Sequence, residues 1–210
     1  MAKKPEKKSK EEKLRILAAG DIHGDSNLVK KLAEKAEKEK VDLIILAGDI
    51  TSPFETENLI KPFKDKHKKV LLIPGNWDSP ATIDFLADLY GMKNIHGKGY
   101  SIKYKGVGIF GAGGTTGGGK DEEEIFSALK KGDSELKDVR KKIMVTHMHA
   151  KDSISEFSGF EGSRGIKKAI RQFKPDIFIH SHIHEAEGIE EKIGKTKVIN
   201  VGRKGRIIEI

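Results

Sequence analysis

The chain has 210 residues, 40 lysines and arginines against 32 aspartates and glutamates, a formal net charge of +8 and no cysteine. That length suits one domain with a substantial core, and the missing cysteines exclude a disulfide framework and thiolate metal sites, so any metal must take oxygen and nitrogen ligands. Charged residues make up 34% and aromatics 6% of the chain, with both signs interspersed, which reads as a Lys/Glu-rich solvated surface rather than a nucleic-acid face, though one that still attracts phosphate-bearing substrates.

Residues 1–13 are rich in lysine, with almost nothing apolar. Such a composition cannot bury enough surface to order itself, and it lacks the apolar centre of a secretory signal. It is read as a flexible basic tail ahead of a single domain over 14–210. With no apolar run of membrane-spanning length, the expectation is a soluble cytoplasmic protein.

The first apolar run, Leu14, Ile16, Leu17, Ala18 and Ala19, predicts a buried strand that ends in Gly20-Asp21-Ile22-His23-Gly24-Asp25, where glycine lets the backbone turn. Residues two apart in an extended segment project to one side, so Asp21 and His23 can reach a common cation. Ser26 is placed as the cap of a helix carrying Leu28, Val29, Leu32, Ala33 and Ala36 on one face. Residues 41–46 predict a second strand, which delivers Asp49 behind Ala47-Gly48. Pro53 and the acidic residues after it open a predicted helix over 55–66, and residues 70–73 a third strand ending in Pro74-Gly75-Asn76-Trp77-Asp78. Ser79 as cap and Pro80 as first residue start a third helix, with Ile83, Leu86, Leu89 and Tyr90 inward. Alternating strands and helices argue for a parallel sheet, whose ligand sites lie at the carboxyl ends of its strands. Asp21, His23, Asp49, Asn76 and Asp78 all fall there.

Residues 100–104 and 107–110 predict a hairpin around Lys105-Gly106, and a glycine-rich stretch over 111–120 precedes a helix over 122–130. Residues 114–120 match the first seven positions of the phosphate-binding loop G-x-x-x-x-G-K-[ST]. The eighth is Asp121, which offers magnesium no hydroxyl and sets negative charge beside the phosphates. The stretch is therefore read as a mobile glycine loop near the site. Residues 142–145 then form a strand leading to Thr146-His147-Met148-His149, residues 163–173 a helix with Ile166, Ala169, Ile170 and Phe173 inward, and residues 176–179 a strand leading to His180-Ser181-His182-Ile183-His184. Short strands near 188–193, 197–200 and 206–210 look antiparallel, so the sheet system is mixed.

Most of the eight histidines follow apolar strands. Any one alone reads as a hydrogen-bonded structural residue. Together with Asp21, Asp49 and Asn76 they make an oxygen and nitrogen set large enough for two metals, and a bridging carboxylate would let the ions sit about 3.5–4 Å apart to clamp a phosphoryl centre.

In their order, Asp21-Ile22-His23, Gly48-Asp49, Gly75-Asn76-Trp77-Asp78, His147 and Ser181-His182-Ile183-His184 resemble the D-x-H, G-D, G-N-H-D/E, lone His and G-H-x-H motifs of the calcineurin-like metallophosphoesterases. Asn94-Ile95-His96-Gly97 and the glycine loop resemble a small prokaryotic branch related to the Icc phosphodiesterase. The resemblance implies an α/β fold of two packed mixed β-sheets flanked by helices, a four-layer sandwich. It assigns Asp21, His23, Asp49 and His184 to one divalent metal and Asp49, Asn76, His147 and His182 to the other, with Asp49 as bridge and Mn²⁺, Fe or Zn²⁺ as suitable ions. The implied activity is hydrolysis of small phosphate esters, phosphodiesters first and nucleotides among them, by in-line attack of a metal-bridging hydroxide, with Asp49 and Asn76 in catalytic positions.

Two departures stand out. Trp77 replaces the family's histidine, which helps protonate the leaving group, and its loss predicts turnover of poor leaving groups lower by about 10²- to 10⁴-fold unless His149 or a metal-bound water substitutes. Ser181 replaces a glycine and leaves the ligands intact. Arg203, Lys120 and Arg164 are candidate phosphate contacts, His96 and His180 structural residues, and Asp78 an orienting acid. The competing readings are a non-catalytic metal-binding scaffold or protein-interaction module of the same fold, which should have lost ligands, and a nuclease of the same superfamily, which should carry extra DNA-binding segments. No nucleic-acid or membrane partner is expected, and the oligomeric state is left open.

Overall fold

The computed structural model describes residues 13–52, 55–115 and 119–210. Two mixed sheets pack face to face. The first runs in the order β11 (Arg206–Glu209), β1 (Arg15–Ala19), β2 (Leu43–Ala47), β3 (Lys69–Ile73), β4 (Lys93–Asn94). The second runs β5 (Lys98–Ile102), β6 (Val107–Ala112), β7 (Lys141–Thr146), β8 (Ile177–His180), β10 (Thr196–Asn200), β9 (Glu190–Ile193). Helices α1 (Ser26–Lys38), α2 (Lys61–Asp65) and α3 (Pro80–Tyr90) cover the first sheet; α4 (Gly119–Ser134) and α5 (Arg164–Phe173) cover the second.

The period of two along each strand explains why the strands read as unbroken apolar runs. Ile16, Leu43, Ile45, Leu71 and Ile73 point into the space between the sheets, where they meet Ile109, Ile143, Val145 and Ile179. Their alternates Leu17, Ile44, Leu46, Val70 and Leu72 pack under α1, α2 and α3, and Phe110, Met144 and Phe178 pack under α4 and α5. A strand buried on both faces has no polar side to show. β1, β2 and β3 are parallel, as are β6, β7, β8 and β10, so within each sheet these carboxyl ends share one edge.

The expected four-layer arrangement is present, with local corrections. Asp25, not Ser26, caps α1, its carboxylate accepting from the Leu28 N–H at 2.9 Å. The helix expected over 55–66 shrinks to α2, because Pro62 is tolerated only in a first turn and so fixes the start; Ser52 and Glu55 form a β-bridge instead, and Pro53 lies outside the described residues. In α3 the inward positions are Ile83, Leu86 and Ala87 with Tyr90 half-buried, whereas Leu89 faces solvent and Ser79 makes no side-chain cap bond. The hairpin forms as expected from β5 and β6. The closing strands are antiparallel in the β9–β10 and β1–β11 pairs, yet β10 is parallel to β8, which carries its end to the histidine-bearing edge. Residues 1–12 and 116–118 lie outside the described set, and with them the expected tail and the centre of the glycine loop. Among the described residues no helix is long and apolar enough to cross a membrane.

Candidate metal centre

The tips of β1, β2, β3, β7 and β8 meet at the seam between the sheets. Asp21, His23, Asp49 and His182 all have left-handed backbone, with φ of 53°, 49°, 50° and 71°, a conformation that Asp and His accept more readily than most side chains but still at some cost. Backbone bonds hold it at the first two tips: the N–H groups of Asp21, His23 and Gly24 donate to the carbonyls of Gly48, Asp49 and Ile50 at 3.0, 2.8 and 3.0 Å. Gly75 packs so closely on Asp49 that a Cβ there would collide with the carboxylate.

Two groups of donors result. The ligand atoms of Asp21, His23 and His184 lie within 4.8 Å of one another, and so do those of Asp49, His147 and His182. In the second group the His147 Nε2 is 3.3 Å from Asp49 Oδ2, 2.9 Å from Asn76 Oδ1 and 3.2 Å from His182 Nδ1. Asp49 Oδ2 is also 3.8 Å from His23 Nε2, so one carboxylate oxygen faces both groups. The other, Oδ1, accepts the Trp77 N–H at 2.8 Å.

The chemistry of this set fits a cation. His147 Nδ1 lies 2.9 Å from the Ala47 carbonyl, which can only accept, so Nδ1 carries a proton, and a neutral ring would turn the lone pair of Nε2 toward the Asp49 and Asn76 oxygens with His182 Nδ1 beside them. Buried lone pairs facing one another repel unless a proton or a metal ion sits between them. Donors bound at about 2.1 Å to one ion at right angles are about 3 Å apart, the spacing seen here.

Charge in the centre is tightly coupled. Burial pushes the Asp21 carboxyl up by more than the neighbouring His147 and His184 offset, and Asp49 adds a smaller push in the same direction. Burial also pushes Asp49 up, but the hydrogen bond and charge of His147, the Trp77 N–H and His23 together outweigh it and bring Asp49 below the usual carboxylate value. His147, which burial would depress, is held above the ordinary histidine value by Asp49 and Asp21. Burial and the neighbouring His147 push His182 down to about 4.

A second layer orients these groups. Ser181 Oγ donates to the Ala47 carbonyl at 2.7 Å and lies 3.1 Å from His147 Nδ1; Gly20 leaves room for it, since a Cβ there would stand 2.5 Å from the hydroxyl. Asp78 accepts from the N–H groups of Gly75, Ile50 and Thr51 and from the Thr51 hydroxyl, tying the β2 and β3 tips together. Asn200 Nδ2 donates to the Ile183 carbonyl at 2.9 Å, and Asp21 receives the His182 N–H at 3.1 Å, which together fix the loop carrying His182 and His184. Asn200 escapes a reading of the sequence; its only signal is its place behind Val198-Ile199, at the end of a strand.

The family model for calcineurin-like phosphoesterases matches residues 14–186. The chain belongs to that family. Solved structures with the same fold include the Thermus thermophilus protein TT1561 (19% identity, 93% of this chain and 98% of that one, TM-score 0.73). Others are a dimetal phosphatase from Danio rerio (11%, 89% and 86%, 0.60) and an archaeal phosphodiesterase (18%, 94% and 100%, 0.54). No curated protein sequence matches this calcineurin-like phosphoesterase significantly.

The remaining candidates lie outside the two ligand groups. His149 is buried, its Nε2 3.2 Å from the Phe160 carbonyl and its ring stacked on that of His182 with centroids 6.4 Å apart. Arg203 pairs with Asp25 at 3.0 Å, and Arg164 pairs with Glu161 on the basic outer face of α5 with Lys167, Lys168 and Arg171. The Lys120 side chain lies outside the described residues. The described start of the glycine loop borders the site, the Gly114 N–H donating to the Pro74 carbonyl at 2.9 Å. His180 is buried beneath the centre and pushed down to about 3 by desolvation.

Proposed function

We propose that this phosphoesterase binds two divalent ions and hydrolyses phosphodiesters. Asp21, His23 and His184 would hold one ion and Asn76, His147 and His182 the other, with Asp49 shared. The observation that carries the reading is Asp49 Oδ2, which faces a donor of each group while its partner oxygen is fixed by the Trp77 N–H. Ions so placed supply Lewis-acid polarisation of the phosphoryl oxygens and an acidified water.

The chain's own residues set the rest. His147 is locked in one tautomer by Ala47 and Ser181, and Asp78 keeps the turn bearing Asn76 against β2. His149 acts as a positioning residue for the Phe160 segment. Trp77 offers no proton at neutral pH, which favours leaving groups that depart without one. The arginines that could hold the extra charge of a monoester are paired with Asp25 and Glu161, which favours diesters, and a structural relative is an archaeal phosphodiesterase.

The test is metal analysis followed by hydrolysis of bis(4-nitrophenyl) phosphate and 4-nitrophenyl phosphate, with and without Mn²⁺. About two ions per chain and faster cleavage of the diester are expected. Two ions with cleavage of neither ester would favour a metal-binding scaffold, and no ions would overturn the ligand assignment.

A further inference from the structure

Each group of candidate ligands has one exposed aromatic ring against one of its imidazoles. Trp77 is 55% exposed and meets His23 edge-on, with ring centroids 5.6 Å apart. Phe160 is 63% exposed and meets His182 edge-on at 6.4 Å. Isolated exposed apolar side chains are ordinary on protein surfaces, but these two are seated by backbone bonds. The Trp77 N–H is held by Asp49 at 2.8 Å, and the Phe160 carbonyl by His149 at 3.2 Å. The segment carrying Phe160 is closed at its base, where the N–H groups of Lys151 and Ser163 donate to the carbonyls of Ser163 and His149, both at 2.9 Å. The backbone that carries each ring is thus held beside the centre, and both rings are left open to solvent.

We propose that Trp77 and Phe160 are stacking platforms that select phosphate esters bearing a flat aromatic group, a nucleobase or an aryl ring, over esters of sugars and alkyl alcohols. The proposal rests on the phosphoesterase reading and names the substrate feature which that site recognises. Stacking on an aromatic side chain accepts any flat ring because each has a π-face, and it changes affinity by roughly five- to a hundredfold.

Trp77 is the chain's single tryptophan, so its fluorescence reports the ring's surroundings without any need for turnover. Mn²⁺-loaded protein is titrated with AMP, phenyl phosphate and ribose 5-phosphate, each as its methyl phosphodiester and each also competed against inorganic phosphate, by fluorescence and, for the variants that lack tryptophan, by calorimetry. AMP and phenyl phosphate should quench Trp77 and bind roughly ten- to a hundredfold more tightly than ribose 5-phosphate. Trp77→Leu and Phe160→Ala should each erode that preference, and Trp77→Phe should keep most of it. A preference for AMP alone supports the platforms and narrows the group to a nucleobase. Equal binding of all three, or a preference that survives both substitutions, overturns the platforms while the phosphoesterase reading stands. If none displaces phosphate and bis(4-nitrophenyl) phosphate is not cleaved, both fall.

Discussion

The two sheets bring different chemistry to the seam. The first supplies oxygen: Asp21, Asp49 and Asn76 stand on the tips of β1, β2 and β3, with His23 as its one imidazole. The second supplies nitrogen: His147, His182 and His184 follow β7 and β8. The first sheet's tips are tied together by their own backbone and by Asp78. The second sheet's His147 is oriented by the first sheet's Ala47 carbonyl. The carboxylate side is thus built locally, whereas the imidazole side takes its geometry from across the seam.

The strongest way to break this division is at the shared atom. Asp49→Asn keeps a residue that accepts left-handed backbone but removes the charge facing both groups. Metal analysis and diester hydrolysis should both fall, activity by more than about 10²-fold, since even partners outside the ligand shell are worth 10- to 100-fold. Near-normal metal content and rate would deny Asp49 its bridging place.

A milder test addresses the packing of one sheet on the other. Gly20→Ala forces a methyl against Ser181 and should destabilise the fold by about 1–3 kcal/mol, as overpacking does. Adding Ser181→Gly should recover most of that in urea unfolding, because the two residues share one space. It should not recover metal affinity, because His147 then lacks its hydroxyl neighbour. Additive losses in the double variant would show that the contact is not what limits either position.

The smallest effect separates the halves by pH. The second sheet holds His180, buried and depressed to about 3. A histidine depressed on folding contributes stability that is fully present above its ordinary value, near 6.5, and is lost as pH falls from there toward the folded value. With metals chelated, stability should decline below pH 6.5 by up to about 1.4 kcal/mol per pH unit for that one group. His180→Gln should show a shallower slope between pH 6.5 and 5. An unchanged slope would remove His180 as its source.

The same division governs what could be read from the sequence. Asp21, His23, Asp49 and Asn76 were legible because each follows an apolar strand within a few residues, so strand, turn and ligand share one short window. The types and order of the second sheet's histidines were legible too, and the family pattern placed them. Their supports were not. Ser181 and His147 reach Ala47 across 134 and 100 residues, a relation that no local periodicity encodes. The burial of His149 was not legible because alternation cannot say whether a loop histidine is buried, nor was the ion pair of Arg203 with Asp25, 178 residues away. The shortened α2 was in principle readable, since Pro62 marks where a helix can begin.

The place of β11 has a consequence for how the molecule is made. The first sheet's β1, β2, β3 and β4 leave a ribosome in order, but the outer edge of β1 pairs with β11, and Leu14 exchanges backbone bonds with Ile210. Until β11 has emerged, the strand that leads to Asp21 presents an open edge, the kind of surface that recruits stray strands from other chains. Closing it joins residues far apart in the sequence, a slow kind of contact to find. β11 therefore seals that edge against aggregation, and removing it should lower soluble yield before it alters any group at the metal centre.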